Sequence, residues 1–176
     1  MTVVACKVTE TNIQIASDSQ TTWGDNKMPT HYPDQRNIKT EGKLFTINTD
    51  TVIGCAGRCS HITLLQMYCR GHLPVEMTND RIFDWFADFK KWANVEAQVK
   101  YEDLSIHGII VKDKKAFTFY DDLEVREITD FSAVGSGMFL AIGVLDLGAD
   151  VEAAVNVAIK YDLYCGGKAN VITILK

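Results

Sequence analysis

Residues 2–8 read TVVACKV, a strand-like run with only Met1 before it, and residues 12–17, NIQIAS, alternate well enough to pair with it as a hairpin turning near Glu10 and Thr11. Working outward, residues 19–42 are polar, hold two of the three prolines and show no period, which predicts a long loop. Strands are expected at 43–48 and 51–55, ending in the small-residue turn Ala56–Gly57. Two helices follow, 60–70 closed by Gly71, and 80–96 with Ile82, Phe86, Phe89 and Ala93 at helical spacing and Trp85 and Trp92 widening the stripe. Strands resume at 104–111, 116–120 and 131–134. An apolar helix at 138–147, a helix from about Asp150 to Gly166–Gly167 and a strand at 170–174 complete the chain.

Helices that arrive in consecutive pairs do not make the alternation of a doubly wound parallel sheet. Two antiparallel sheets face to face, with a helical pair on each outer face, bury every apolar stripe. The expectation is an α+β, four-layer αββα sandwich, formed as one domain over residues 1–176. Sheets covered on both sides also explain why few strands alternate cleanly. Helix 138–147 is apolar almost all round, which suits either full burial or a contact between subunits.

The 176 residues carry a formal net charge of −5, which argues against a broad nucleic-acid footprint. No apolar run approaches the ~20 residues of a membrane span, and no leader pattern precedes the first strand, so a cytoplasmic protein is expected. Five cysteines without regular spacing read as reduced thiols. A zinc set of Cys59, His61, Cys69 and His72 is disfavoured, because helical spacing puts Cys59 and His61 about 200° apart around the axis.

Several polar residues stand out. Val151, Val155 and Ala158 share a face with Asp162, and a carboxylate there either meets a cation or donors or ends the helix in solvent. Asp18 directly follows a strand, Lys43 opens one, and Ser136 sits in GSG; each alone reads as ordinary surface or turn chemistry. Thr2 changes the weighing. Methionine is normally trimmed before a small residue, and the mature chain is then expected to begin with a threonine. A free α-amine has a reference pKa of about 7.7–8.0, so a neutral fraction can take the proton from the hydroxyl of its own residue.

Around that threonine the sequence resembles the proteasome β-subunit and HslV-type peptidases, which are N-terminal-nucleophile hydrolases. The matching pieces are TVVACKV, IASDSQTTWGD (15–25), KLFTINTDTVIGCAG (43–57), FSAVGSGMFLAIGVLD (131–146) and YDLYCGGKANVITI (161–174). The resemblance implies Thr2 as nucleophile with its α-amine as base, and Lys43 as the cation that lowers the pKa nearby, paired with Asp18. It implies Ser136 and Asp162 as the pair that orients the amine and relays its proton, and the Gly57 N–H as oxyanion donor. Thr22 matches a position whose main chain pairs with substrate, and Cys55, Cys59 and Thr21 match the pocket for the side chain before the cut, expected to favour apolar residues. Cys165 stands where the family has a serine. The loop before Lys43 is longer than usual, which leaves Lys39 as the runner-up for the lysine. No cofactor or metal is implied. The implied partners are further copies of the chain in rings of six or seven subunits stacked in pairs, unfolded polypeptides, and an AAA+ unfoldase ATPase. A ring-forming relative without activity and a small-molecule amidase remain alternatives, because fold alone never decides substrate.

Overall fold

β1 (Val3–Val8) and β2 (Asn12–Ser17) do form the expected hairpin. They are the middle of a four-stranded antiparallel sheet ordered β11-β1-β2-β12, whose outer strands are β11 (Phe131–Gly135) and β12 (Asn170–Leu175). The structure, a computed structural model, describes residues 2–23, 26–29, 38–41 and 43–176. Met1 lies outside the described residues, as do the side chains of Thr22 and Lys39.

The second sheet has six strands in the order β10-β9-β8-β7-β6-β5: β5 (Ile38–Glu41), β6 (Leu44–Ile47), β7 (Thr51–Gly57), β8 (Ile106–Lys112), β9 (Lys115–Phe119) and β10 (Val125–Glu127). A separate ribbon pairs β3 (Gln20–Trp23) with β4 (Asn26–Pro29). The loop expected over 19–42 is therefore corrected: it contains this ribbon and β5. A ribbon outside the sandwich needs no apolar face, and β5 is an edge strand carrying Lys39 and Glu41, so neither shows the apolar alternation of a covered strand.

Period-two alternation sorts the side chains into layers. Val4, Cys6, Ile13 and Ile15 meet Leu44, Val52, Ile109 and Val111 between the sheets. Val3, Ala5 and Ala16 point the other way, to α3 (Met138–Asp146) and α4 (Val151–Tyr161). On the far side Phe45, Ile53, Ile110 and Phe117 pack under α1 (Cys59–Cys69) and α2 (Asn79–Ala97). This is the four-layer αββα arrangement. Gly54 lets the sheets close together: a Cβ there would stand 2.6 Å from Val4 Cγ1.

The helices follow their sequence signals closely. Thr78 caps α2, its side chain accepting from Arg81 N–H, and Asp150 caps α4 through Ala153 N–H. Three details are corrected. α1 ends on Arg70 in ordinary helical geometry, and Gly71 does not take a left-handed conformation. α4 stops at Tyr161 rather than Gly166–Gly167, with Asp162 as its extended C-cap (φ −88°). α3 buries only Ala141 and Leu145 fully, leaving Phe139 76% exposed and its C-cap Leu147 87% exposed. Its near-uniform apolarity thus belongs to an outer surface as well as to the core.

Candidate active site

Thr2 directly precedes β1 and is 4% exposed, so the start of this strand is enclosed. On one side of it lies an ion pair. Lys43 Nζ donates to Asp18 Oδ1 at 2.8 Å, with both residues buried. The same oxygen accepts Val3 N–H at 3.0 Å, so the ammonium sits two hydrogen bonds from the Thr2–Val3 peptide. Asp18 Oδ2 accepts Gly166 N–H at 3.1 Å and, more weakly, Gln20 N–H at 3.4 Å. A buried carboxylate with this many donors is held in one orientation. Burial lowers the pKa of Lys43 below the ordinary lysine value, and Asp18 opposes the shift. Lys43 is placed by the sheet: its N–H donates to Ser17 Oγ at 3.3 Å where β2 ends.

On the other side lie Ser136 and Asp162. Ser136 Oγ is 3.2 Å from Asp162 Oδ1 and 3.4 Å from Thr2 O, so its single proton can serve either oxygen. Asp162 Oδ1 also accepts Tyr164 N–H at 2.8 Å and Cys165 N–H at 3.0 Å. The carboxylate of the last helical stripe thus meets donors, as the first of its two readings expects, and does not simply end the helix in solvent. It is a C-cap side chain that folds onto the next turn. Gly135 is obligatory here, with φ +97° and a Cβ that would stand 2.0 Å from Thr2 O.

Gly57 enters from the second sheet at the end of β7, with φ +129°. A Cβ on Gly135 would also stand 3.3 Å from Ala56 Cβ, so Gly135 lies close to both the Thr2 carbonyl and the residue before Gly57. Cys165 is buried, its Sγ 3.9 Å from Ser136 Oγ, and its thiol is pushed up to about 12, first by burial and then by Asp18 and Asp162. At neutral pH it is a thiol and not a thiolate. Both Cys165 and exposed Cys59, on the first turn of α1, lie within electrostatic range of Lys43.

Thr2, Asp18, Lys43, Ser136, Asp162 and Cys165 are therefore one connected network, with Gly57 beside it. The pocket residues are less uniform. Thr21, half-buried, and the Thr22 backbone lie on β3, paired with Met28 and Lys27. Cys55 is 0% exposed in the helix-facing core, its thiol pushed up by burial, because the parity of β7 turns it toward α1 and α2. In this structure it packs as part of the core, which is the alternative to its place at a pocket base. Residue-by-residue reading missed Ser17, Gly135 and Gly166; the small residues before Asp18 and in GSG and CGG were the available signal.

Among the described residues, no group of three or more His, Cys, Asp or Glu side chains is arranged to hold a metal ion. None of the described helices is long and apolar enough to cross a membrane. A cavity of about 470 Å³ opens elsewhere, between the end of α1 and α2, lined by Tyr68, His72, Val75, Glu76, Arg81 and Trp85.

No family model matches the sequence, and no curated protein matches it. Solved structures do match the fold. Thiobacillus denitrificans BPH, in complex with epoxomicin, superposes with a TM-score of 0.81 at 20% identity, covering 98% of both chains. A second structure of Thiobacillus denitrificans BPH gives the same TM-score and identity, over 98% of this chain and 97% of that one. Eukaryotic HslV from Trypanosoma brucei superposes with a TM-score of 0.74 at 17% identity over 99% of each chain. Sheet order, helix pairing and near-complete coverage agree in one conclusion: this chain has the fold of the HslV-type, proteasome-like N-terminal-nucleophile hydrolases.

Proposed function

We propose that the chain is a threonine peptidase subunit of a ring-forming, proteasome-like protease that cleaves unfolded polypeptides in the cytoplasm, with Thr2 as nucleophile once Met1 is removed. The observation that carries this reading is the bracketing of one residue: Asp18 and Lys43 hold the peptide after Thr2, and Ser136 stands against its carbonyl. In this mechanism the neutral α-amine accepts the Thr2 hydroxyl proton as Oγ attacks the substrate carbonyl. The Lys43 charge favours the developing alkoxide, and the Gly57 N–H receives the oxyanion. Ser136 and Asp162 orient the amine, which passes its proton to the departing amine of the substrate. Water then hydrolyses the ester on Thr2, with the α-amine as base again. The β3 backbone at Thr21 and Thr22 supplies an edge on which substrate lies as an added strand, and Cys59 faces the residue before the cut.

Intact mass together with hydrolysis of fluorogenic peptides tests the reading. We expect loss of Met1, cleavage after apolar residues, no activity in Thr2→Ala and partial activity in Thr2→Ser. Equal activity in Thr2→Ala and the parent refutes the mechanism. Epoxomicin, which Thiobacillus denitrificans BPH binds, should bind here only when Thr2 is present.

The assembly part rests on a different observation. Phe139 and Leu140 on α3, Leu147 at its C-cap, and Tyr161, Leu163 and Tyr164 beside Asp162 are all exposed. Three of the six in this group are aromatic, a residue class that dominates interface energetics when it is covered. A head-to-tail contact between copies would cover it and close into a ring, which an unfoldase ATPase could feed. Light scattering should report a closed multimer, dissociated by Phe139→Lys; a stable, active monomer refutes the chambered reading. Cys165 favours a second reading, a ring-forming relative without activity, since a thiol is a weaker donor than a hydroxyl beside Ser136. Retained Met1 in a multimer that hydrolyses nothing would establish that reading.

A further inference from the structure

Resting on the assignment of Gly57 as oxyanion donor, we infer that His61 is the positioning residue of the Gly57 turn, acting as a neutral acceptor where the strand ladder runs out of backbone carbonyls. β7 and β8 pair as far as Gly57 opposite Ile106, and beyond this β7 turns into α1. Ser105 lies one residue further out. Its carbonyl still accepts from the turning strand, from Arg58 N–H at 2.9 Å. Its N–H has lost a backbone partner and donates instead to His61 Nδ1 at 3.0 Å. The circuit closes locally, because His61 N–H donates to Arg58 O at 3.0 Å.

Gly57 sits inside this circuit and is pressed against it. A Cβ there would stand 2.4 Å from Ser105 O and 2.9 Å from Ile106 Cα, so the position of Ser105 sets the position of Gly57. His61 is 3% exposed, and water cannot readily replace its bond to Ser105. An imidazole accepts through Nδ1 only when that nitrogen carries no proton. Burial, the largest cause, holds His61 below its ordinary pKa and Arg58 at the α1 N-cap acts in the same direction, against the backbone hydrogen bond at Ser105 and the charge of Asp103 in the turn before β8. The acceptor therefore persists at neutral pH and is lost when acid protonates the ring.

The test compares the parent with His61→Asn and His61→Leu. Asparagine places Oδ1 near the position of Nδ1, whereas leucine fills the space without an acceptor. His61→Leu should lower kcat at least about ten-fold with little change in KM, because an oxyanion donor acts in the transition state. Hydrogen exchange at the Ser105 amide should accelerate in the same variant. His61→Asn should restore most of kcat and remove the contribution of His61 to the acid limb of its pH profile. Parental kcat in His61→Leu, or equal damage in both variants, overturns the role. Nitrogen NMR of the parent gives a readout without any variant: at pH 7 the proton should lie on Nε2, and a proton on Nδ1 overturns the inference. A parent with no Thr2-dependent hydrolysis overturns the peptidase reading, and the positioning role with it.

Discussion

Replacing Lys43 by methionine removes the ammonium while keeping most of the stem. Asp18, 0% exposed, would then lose the charge at 2.8 Å and keep, among the described residues, the N–H groups of Val3, Gly166 and Gln20. Breaking one side of a buried pair typically costs 3–5 kcal/mol, because the remaining charge is left without compensation. Hydrogen bonds to a charged group are worth about 1.5–3 kcal/mol each, and those that remain hold the loss near the lower bound, about 3 kcal/mol. With a urea slope of about 2 kcal/mol per molar, the midpoint should fall by roughly 1.5 M at fixed protein concentration. The double variant Asp18→Asn/Lys43→Met removes both charges and should recover at least about half of that loss. Peptide hydrolysis should be absent from both, since the proposed chemistry needs the cation. Lys39→Met, on the edge strand β5, should change neither stability nor hydrolysis. A loss below about 1 kcal/mol in Lys43→Met, or a double variant less stable than the single one, would refute the account of the pair.

Cys165→Ser restores a hydroxyl beside Ser136 and should raise kcat several-fold without moving the urea midpoint; an unchanged or lower kcat would show that the thiol already does what is needed. On the acid side, His61 and His107 are both held below their ordinary pKa by burial. The unfolded chain then takes up protons from about pH 6.5, where the folded chain resists them, so stability should decline as pH falls through that value toward the folded-state values. Urea midpoints at pH 7 and 5 check this, and a midpoint independent of pH, or one rising toward pH 5, contradicts it.

Much of the architecture was legible in the chain itself. Paired helices between groups of strands are a one-dimensional pattern, and only a few layer arrangements bury both faces of each sheet. Most helices and central strands accordingly lie within a few residues of where periodicity puts them. Thr2, Asp18, Lys43, Gly57, Ser136 and Asp162 could be singled out as well, but by resemblance and residue type, because each alone reads as a turn or a solvated end.

Tertiary structure decided the rest. Asp162 continues an apolar helical stripe in sequence, yet its role comes from donors at Tyr164, Cys165 and Ser136, the last of these on another element. Gly166 N–H reaches Asp18 across 148 positions, a closure that no local period encodes. Cys55 and Ala56 are neighbours on one strand, but only the packing shows which faces the helices and which meets the Thr2 side of the sandwich. Strand parity separates two faces without labelling them, and when both faces are covered, hydrophobicity cannot supply the label. Sequence therefore determined most of the covered elements and which residues could do chemistry; tertiary packing determined the uncovered strands and which of those residues meet.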